Sequence, residues 1–410
     1  MKKIVILGAG TGGTTIANKL RKKLSFDEWE ITIIDKDNNH IYQPGLLFIP
    51  FGLSTINGIT RSRQQYISKG INFIIDRVTR INHENNRVET KDGNFDYDWL
   101  IIATGCRIAP EENEGLLDEW GRNAFSFYTT ETADSLRQVI NGFSGGKLVM
   151  CVAELPIKCP VAPVEFIFLA DWYFREKGMR NKVELHLLTP FPRCMPNWPK
   201  ASVVLTEAAK NKGITLTTDF LLKGVNKQGK YIESFAGNKI EYDLLVIIPT
   251  NLGDPVIVES GLDDGSTFIP TDKHTLKALN HKNIYVIGDA TNLPTSKAGS
   301  VAHYEAEVVT HNLLSEINGK APEPIYDGHS TCFIVSEKGK SYLVDFNYNT
   351  EPLFGKYPLP VIGPFSLVKE TRMNWKGKLW FEWFYWNIML SGKNTGLPPT
   401  LVMAGKKGNL

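Results

Sequence analysis

Apolar and polar positions follow one another in short runs and helical repeats from the first residues onward. Ile4, Val5, Ile6 and Leu7 make a β-branched run that predicts a strand; Ile16, Ala17, Leu20 and Leu24 recur at helical spacing; Ile31, Thr32, Ile33 and Ile34 predict a second strand. Strand, helix, strand in that order is a βαβ unit and implies a parallel sheet. Residues 39–47 read as a loop at the carboxyl edge of that sheet. Residues 71–78 and 87–90 read as short strands around a polar turn, and 97–102 as a buried strand entering the small residues Ala103, Thr104 and Gly105. A polar loop over 108–123 leads to a helix expected near 130–140. Residues 147–153, 183–189, 214–218, 231–235 and 241–250 then predict the strands of a second unit. The 241–250 pattern repeats that of 97–105, so the chain holds two related halves. Residues 283–290 return to the first half, and a helix is expected over 298–317.

The expected fold class is therefore α/β, with two Rossmann-like dinucleotide-binding domains, the second inserted in the first, plus a C-terminal membrane-interface segment. The expected boundaries are 1–120 with 270–325 for a discontinuous FAD-binding domain, and 121–269 for the inserted domain. Residues 326–410 form a C-terminal region of different character. There, Pro322 and Pro324 mark a boundary, 357–364 is proline-rich, and four of the nine tryptophans fall between Trp375 and Trp386. Leu379, Trp383, Trp386 and Leu390 share a helical face. A buried core helix is one reading. Tryptophan and tyrosine bordered by lysine suit the membrane interface, and interfacial insertion is the reading favoured here.

Composition narrows the class. At 410 residues, two or three domains are expected, and 42% hydrophobic with 22% charged residues is ordinary globular content. A net charge of +2 gives no reason to expect nucleic acid. No run of eighteen apolar residues predicts a spanning helix. Met1, Lys2 and Lys3 precede too short an apolar stretch for a signal peptide, so none is expected. Five scattered cysteines (Cys106, Cys151, Cys159, Cys194, Cys332) make no disulfide scaffold, and neither cysteine nor histidine spacing suggests a metal.

The first turn carries the cofactor chemistry. Gly8, Gly10, Gly12 and Gly13 lie between the first strand and the helix. Gly8 allows the tight turn, Gly10 admits a pyrophosphate to the backbone, and Gly13 lets helix and strand pack closely. The helix N-terminus faces the phosphates, and Asp35, at the tip of the second strand, can accept the ribose hydroxyls. Gly288 and Asp289 end the returning strand, where the flavoprotein superfamily holds the FAD ribityl chain. Gln43, Val78, Thr104 and Gly105 are counted with them as cofactor-binding residues. The helix after Asp289 would aim its positive end at the flavin and favour the anionic reduced ring.

The second unit lacks the corresponding turn. After Val152 the chain runs through Glu154, Pro156, Cys159, Pro160, Pro163 and Glu165 without a glycine, and three prolines remove backbone donors. A nicotinamide site of the usual kind is not expected. A cysteine stands where phosphates would be cradled, and a second, Cys332, follows the flavin helix. Two thiols at one flavin face could exchange with a disulfide and pass on an electron pair.

These stretches (156–163, 288–297, 326–332 and 385–390) resemble the sulfide:quinone oxidoreductases, most closely the two-cysteine branch that includes the mitochondrial enzymes. The resemblance covers nearly the whole chain. It implies a redox disulfide between Cys159 and Cys332 beside FAD, with a membrane quinone as electron acceptor. Cys332 would carry the sulfane sulfur and Cys159 would form the adduct with flavin C4a. Lys297 would lie near the pyrimidine ring and stabilise the reduced flavin; otherwise it is an exposed lysine at a helix start. Glu165 is the nearest candidate for handling protons, or else a helix cap. Other branches carry a third cysteine near 126–129. Phe127 and Tyr128 stand there instead, so non-covalent FAD is expected. Sulfide, quinone, a small sulfur acceptor and a membrane surface are the expected partners, with a peripheral, monotopic placement; an oligomer stays open. Competing readings are a type II NADH:quinone oxidoreductase, the flavoprotein subunit of a flavocytochrome sulfide dehydrogenase, and a non-catalytic flavin-binding scaffold.

Overall fold

The computed structural model describes residues 1–195, 198–359 and 363–407. The middle of the proline-rich stretch 357–364 thus lies outside the described residues. In chain order the principal elements are β1 (Lys2–Leu7), α1 (Thr11–Arg21), β2 (Trp29–Asp35), β3 (Asn72–Ile75) and β4 (Trp99–Ile102). Next come β5 (Ala124–Phe125), α2 (Thr130–Gly142), β6 (Gly146–Val152), α3 (Ala162–Glu176), β7 (Val183–Leu188), α4 (Pro199–Asn211), β8 (Ile214–Thr217) and β9 (Leu244–Ile248). Then follow β10 (Ile284–Val286), α5 (Gly299–Ile317), the hairpin β11 (Ser330–Glu337) and β12 (Lys340–Phe346), and α6 (Arg372–Phe384).

The first sheet runs β10-β4-β1-β2-β3 and the second β5-β9-β6-β7-β8, and all pairings within both are parallel. Only the return of β10 completes the first sheet, so the second sheet's strands are inserted in the chain of the first. The central strands are buried on both faces, as parallel strands require, which is why they read as continuous apolar runs.

Two local expectations change. Residues 71–78 do not form one strand. β3 stops at Ile75, and Val78–Asn82 joins a separate antiparallel sheet with Arg87–Thr90 and Asn94–Asp96. The Asp76 carboxylate accepts the N–H groups of Arg77 and Asp92, offering the backbone a turn in place of the ladder. Residues 39–47 are also more ordered than a loop. Asn39–Ile41 pairs with Thr60–Ser62, and Gln43–Phe51 winds as a 3-10 helix with Pro44 in its first turn. Its apolar residues Leu46, Leu47, Ile49 and Phe51 are buried against the second unit.

The C-terminal stripe is split. Along α6 the buried residues are Asn374, Gly377, Lys378 and Phe384, whereas Met373, Leu379, Trp380 and Trp383 are exposed. After Phe384 the helix widens into a π-turn, Tyr385–Met389, closed by Leu390 N–H donating to Tyr385 O. The wider turn shifts the phase, so Trp386 and Leu390 point inward although Leu379 and Trp383 point out. The expected single face does not exist.

Polar contacts dock this segment on the first unit. Asn18 Nδ2 donates to Leu390 O at 2.6 Å, His40 Nε2 bonds the Tyr385 hydroxyl at 2.6 Å, and His303 Nε2 bonds Thr395 Oγ1 at 3.0 Å. Burial pushes both His40 and His303 down to about 3, so both rings are neutral in the folded protein. An unfolded histidine binds its proton near pH 6.5. The unfolded state therefore holds more protons, and stability is present above about pH 6.5 and lost as pH falls toward 3. Urea midpoints should drop over that acid range, and His303→Gln should flatten the drop while leaving the unfolding free energy at neutral pH within about 1 kcal/mol of wild type.

Candidate active site

The glycine turn is shaped by close approach. Gly8 has φ +93°, and a Cβ there would lie 2.4 Å from Ala103 O; a Cβ at Gly13 would lie 1.8 Å from Gly8 O. Gly12 faces Ile287 across the turn. Around Gly10 the space is open, with nothing within 4 Å of a built Cβ. The α1 N-terminus has neither a side-chain cap nor an acidic residue in its first turn, which leaves its N–H groups and positive dipole end for an anion. Asp35 closes the turn from the β2 side: its Oδ2 accepts the Ala9 N–H at 2.7 Å, and Oδ1 is ion-paired with Arg63.

The remaining expected cofactor residues lie at the carboxyl edge of the same sheet. Thr104 and Gly105 follow β4, and Thr104 Oγ1 is buried without a partner among the described residues. Gly288 adopts φ +69° in the turn after β10. The Cys106 thiol faces the Asp289 carboxylate at 3.8 Å; burial first and Asp289 second push it up to about 12. Val78 packs against the apolar cluster that holds Leu7 and Ile34, and Gln43 is exposed at the start of its 3-10 turn. Lys297 is not the exposed lysine of a helix start. It is 7% exposed, and its ammonium donates to Asp289 O and Thr291 O, each at 2.8 Å, over the Phe268 ring.

Cys159 lies where the two units meet. Its N–H donates to Lys297 O at 2.7 Å, and it holds φ +43° at the entry to α3. The Tyr128 hydroxyl donates to Lys158 O at 2.5 Å and reaches Cys159 O at 3.2 Å, fixing the same loop. Phe127 stacks on Phe166, so both residues of the expected departure point are committed to this core. Cys332 is on β11, opposite Val344, and packs in the same apolar cluster as Cys159.

Both thiols feel the same carboxylate and the same ammonium. Glu165 does not cap its own helix: its Oε1 accepts Val335 N–H at 2.9 Å and faces Lys378 Nζ at 3.4 Å. Both residues are buried. Burial pushes the Cys159 thiol well up, with Glu165 and Cys332 adding to that and Lys378 opposing it. Cys332 is pushed up less, to about 11, because Lys378 and the hydroxyls of Ser330 and Ser300 oppose its burial. Cys332 is therefore the more acidic of the two. Cys151 and Cys194 are buried in apolar surroundings that raise both thiols; Cys194 shares the large apolar cluster of Cys332, but burial is the only cause at either, without Glu165 or Lys378.

Residues 2–151 match a family model described as pyridine nucleotide-disulphide oxidoreductase. The chain is 31% identical over 400 residues to the mitochondrial sulfide:quinone oxidoreductase of Dictyostelium discoideum, covering 95% of this chain and 86% of that protein. The chain belongs to the sulfide:quinone oxidoreductase family. The Mus musculus mitochondrial family member is 26% identical over the same shares. The sulfide:quinone oxidoreductase structure from Aquifex aeolicus superposes with a TM-score of 0.80 at 20% identity, covering 96% of this chain and 92% of that one. Members of this family are FAD-binding flavoproteins, and FAD is the cofactor of this chain. The open approach at Gly10, the uncapped α1 N-terminus and the unpartnered Thr104 hydroxyl fit that group.

Three residues around the candidate site are given no role by the sequence alone. Lys378 is one of several lysines in an aromatic helix, and nothing local distinguishes it from Lys376. Tyr128 looks like core. Tyr385 bonds Thr11 Oγ1 at 2.8 Å as well as His40, and so reaches the glycine turn from 374 residues away. The signals available were the aromatic composition of 375–390 and, for Tyr385, its place in the 385–390 stretch that carries the resemblance.

The open space at Gly10 separates folding from cofactor binding. Gly10→Val should fold with near-wild-type stability yet purify without flavin, measured by absorbance against protein. Gly13→Val, with no room for a Cβ, should lose stability by several kcal/mol in the same urea titration.

Proposed function

We propose that this chain oxidises sulfide to sulfane sulfur through Cys159 and Cys332, passing the electrons by way of FAD to a membrane quinone. The observation that carries this reading is that both cysteines face one buried Glu165–Lys378 pair, with the Cys159 N–H bonded to Lys297 O of the first unit. In the oxidised state the two sulfurs form a disulfide. Hydrosulfide, a small anionic nucleophile, attacks the Cys332 sulfur; the new S–S bond makes a Cys332 persulfide, and the broken bond releases the Cys159 thiolate. Lys378 draws the anion in and holds negative charge on either sulfur, while Glu165 keeps the ammonium in place. Tyr128 and the Lys297 carbonyl hold the Cys159 loop. FAD, when bound, takes the electron pair and hands it to quinone. The persulfide sulfur leaves to a small acceptor or as polysulfide, and the two thiolates left behind give up that electron pair as they re-form the Cys159–Cys332 disulfide.

The glycine turn and Asp35 support binding of the ADP half of FAD, and Asp289 the ribityl chain. Lys297, bonded beneath the Asp289 turn, adds positive charge toward the reduced ring. With Phe127 and Tyr128 engaged in packing, non-covalent FAD is the reading supported. The NADH:quinone reading loses support at the end of β6. There the Glu154 carboxylate accepts the Thr250 hydroxyl, and Asn113 bonds Thr250 in turn, across the crevice a nicotinamide dinucleotide would need.

No helix among the described residues is long and apolar enough to cross a membrane. The α6 arrangement supports a surface anchor: Leu379, Trp380 and Trp383 are each more than half exposed, while the helix buries Lys378 and Asn374. Aromatic side chains outward and a lysine inward is the reverse of a water-facing helix, and suits the interfacial region of a bilayer. Quinone would then reach the flavin from this side.

Cys159→Ser and Cys332→Ser should each retain FAD and lose sulfide-driven flavin reduction in an anaerobic titration, whereas Cys194→Ser stays active. Full reduction at the wild-type rate in either of the first two sinks the thiol mechanism. Lys378→Met should move the alkaline-going limb of the sulfide pH–rate profile up by roughly one unit, because removing the ammonium raises both thiols. For the anchor, Trp380→Ser with Trp383→Ser should release the protein from sedimenting liposomes with flavin content unchanged.

A further inference from the structure

Directly under the Gly288–Ala290 turn, α5 carries Glu305, a wholly buried carboxyl with no role in the chemistry above. Its Oε2 accepts the Gly288 N–H. Its Oε1 is buried without a hydrogen-bond partner among the described residues. The charged and titratable groups facing it are Asp289 on the same turn, Lys297 at the entry to α5, and Tyr326 and Tyr348 from the segments packed behind. The Lys297 ammonium is already committed to the carbonyls of Asp289 and Thr291, so it forms no ion pair with Glu305. Burial, with Asp289 adding to it, outweighs the Gly288 N–H and Lys297 and pushes Glu305 up to about 8.

This carboxyl can bind or lose a proton near neutrality, one turn away from the residues assigned to the cofactor. Resting on that cofactor placement, we propose that Glu305 is a proton-binding group linked to reduction of the cofactor, taking up one proton as the cofactor gains an electron pair. The balance is one proton from solvent onto the carboxylate per electron pair on the cofactor; no bond of the protein breaks. The cause is Coulombic. Added negative charge in a poorly screened site makes a second, ionised carboxylate beside Asp289 less tolerable, and protonation removes it. Below pH about 8 the acid already holds its proton and uptake is small; above it the oxidised protein lacks the proton that the reduced protein holds. The potential therefore falls more steeply with pH on the alkaline side.

The test is a mediator-coupled electrochemical titration of the holoprotein on both sides of pH 8, without sulfide, so that its outcome is independent of the cysteine chemistry. Wild type should show one more proton per electron pair above pH 8 than below it, and Glu305→Gln, with FAD retained, should not. Identical profiles in the two proteins overturn the proposal. Should the variant fail to fold, the infrared difference spectrum of wild type decides. A protonated-carboxyl C=O band gained on reduction at alkaline pH, and absent from the difference at acid pH, supports it. No such band at alkaline pH overturns it.

Discussion

One hydrogen bond ties the two halves together at the chemistry: Cys159 N–H to Lys297 O, made by a residue at φ +43°. A non-glycine residue holds that conformation only where its surroundings insist on it. Here Lys297 O on one side and the Tyr128 hydroxyl on the other supply that insistence. The consequence is directional. α3 must start at this point, and its path across β11 brings Glu165 to the Val335 N–H and under Lys378. If the Cys159 loop turned elsewhere, the second cysteine, the carboxylate and the ammonium would have no common centre.

That centre works against its own burial. Both thiols are raised by desolvation, and Glu165 raises them further. Lys378 is the opposing charge, brought in by the C-terminal helix. A buried Lys–Glu pair is weak support for stability, since desolvation consumes most of its attraction, and its value here is in the field it sets at sulfur. The same helix turns Trp380 and Trp383 outward. One element thus sets a cation beside both thiols and turns an aromatic face outward, and its π-turn then locks Tyr385 onto Thr11 at the glycine turn.

Much of this was legible in the sequence because it is local. The Gly8–Gly13 turn is read from sequence because glycine is demanded by atoms a few residues away, as the 1.8 Å approach at Gly13 makes plain. The repeated strand patterns at 97–105 and 241–250 exposed the two related sheets, since strands buried on both faces must be apolar throughout. The missing glycine after Val152 and the cysteine in its place were visible for the same reason.

What tertiary structure alone decided involves partners far apart in the chain. Lys378 and Glu165 are 213 positions apart, Tyr385 and Thr11 374. No periodicity encodes such a meeting. Lys297 could be read from sequence as a flavin-side group or as an exposed helix-start lysine; folding buries it, with Asp289 O and Thr291 O accepting from its ammonium. Leu379 and Trp386 read as one face and lie on opposite sides, because a π-turn between them changes the number of residues per turn. Sequence determines what must be satisfied within a turn or a strand; which distant groups satisfy a buried charge is settled only when the sheets, the hairpin and the last helix are packed together.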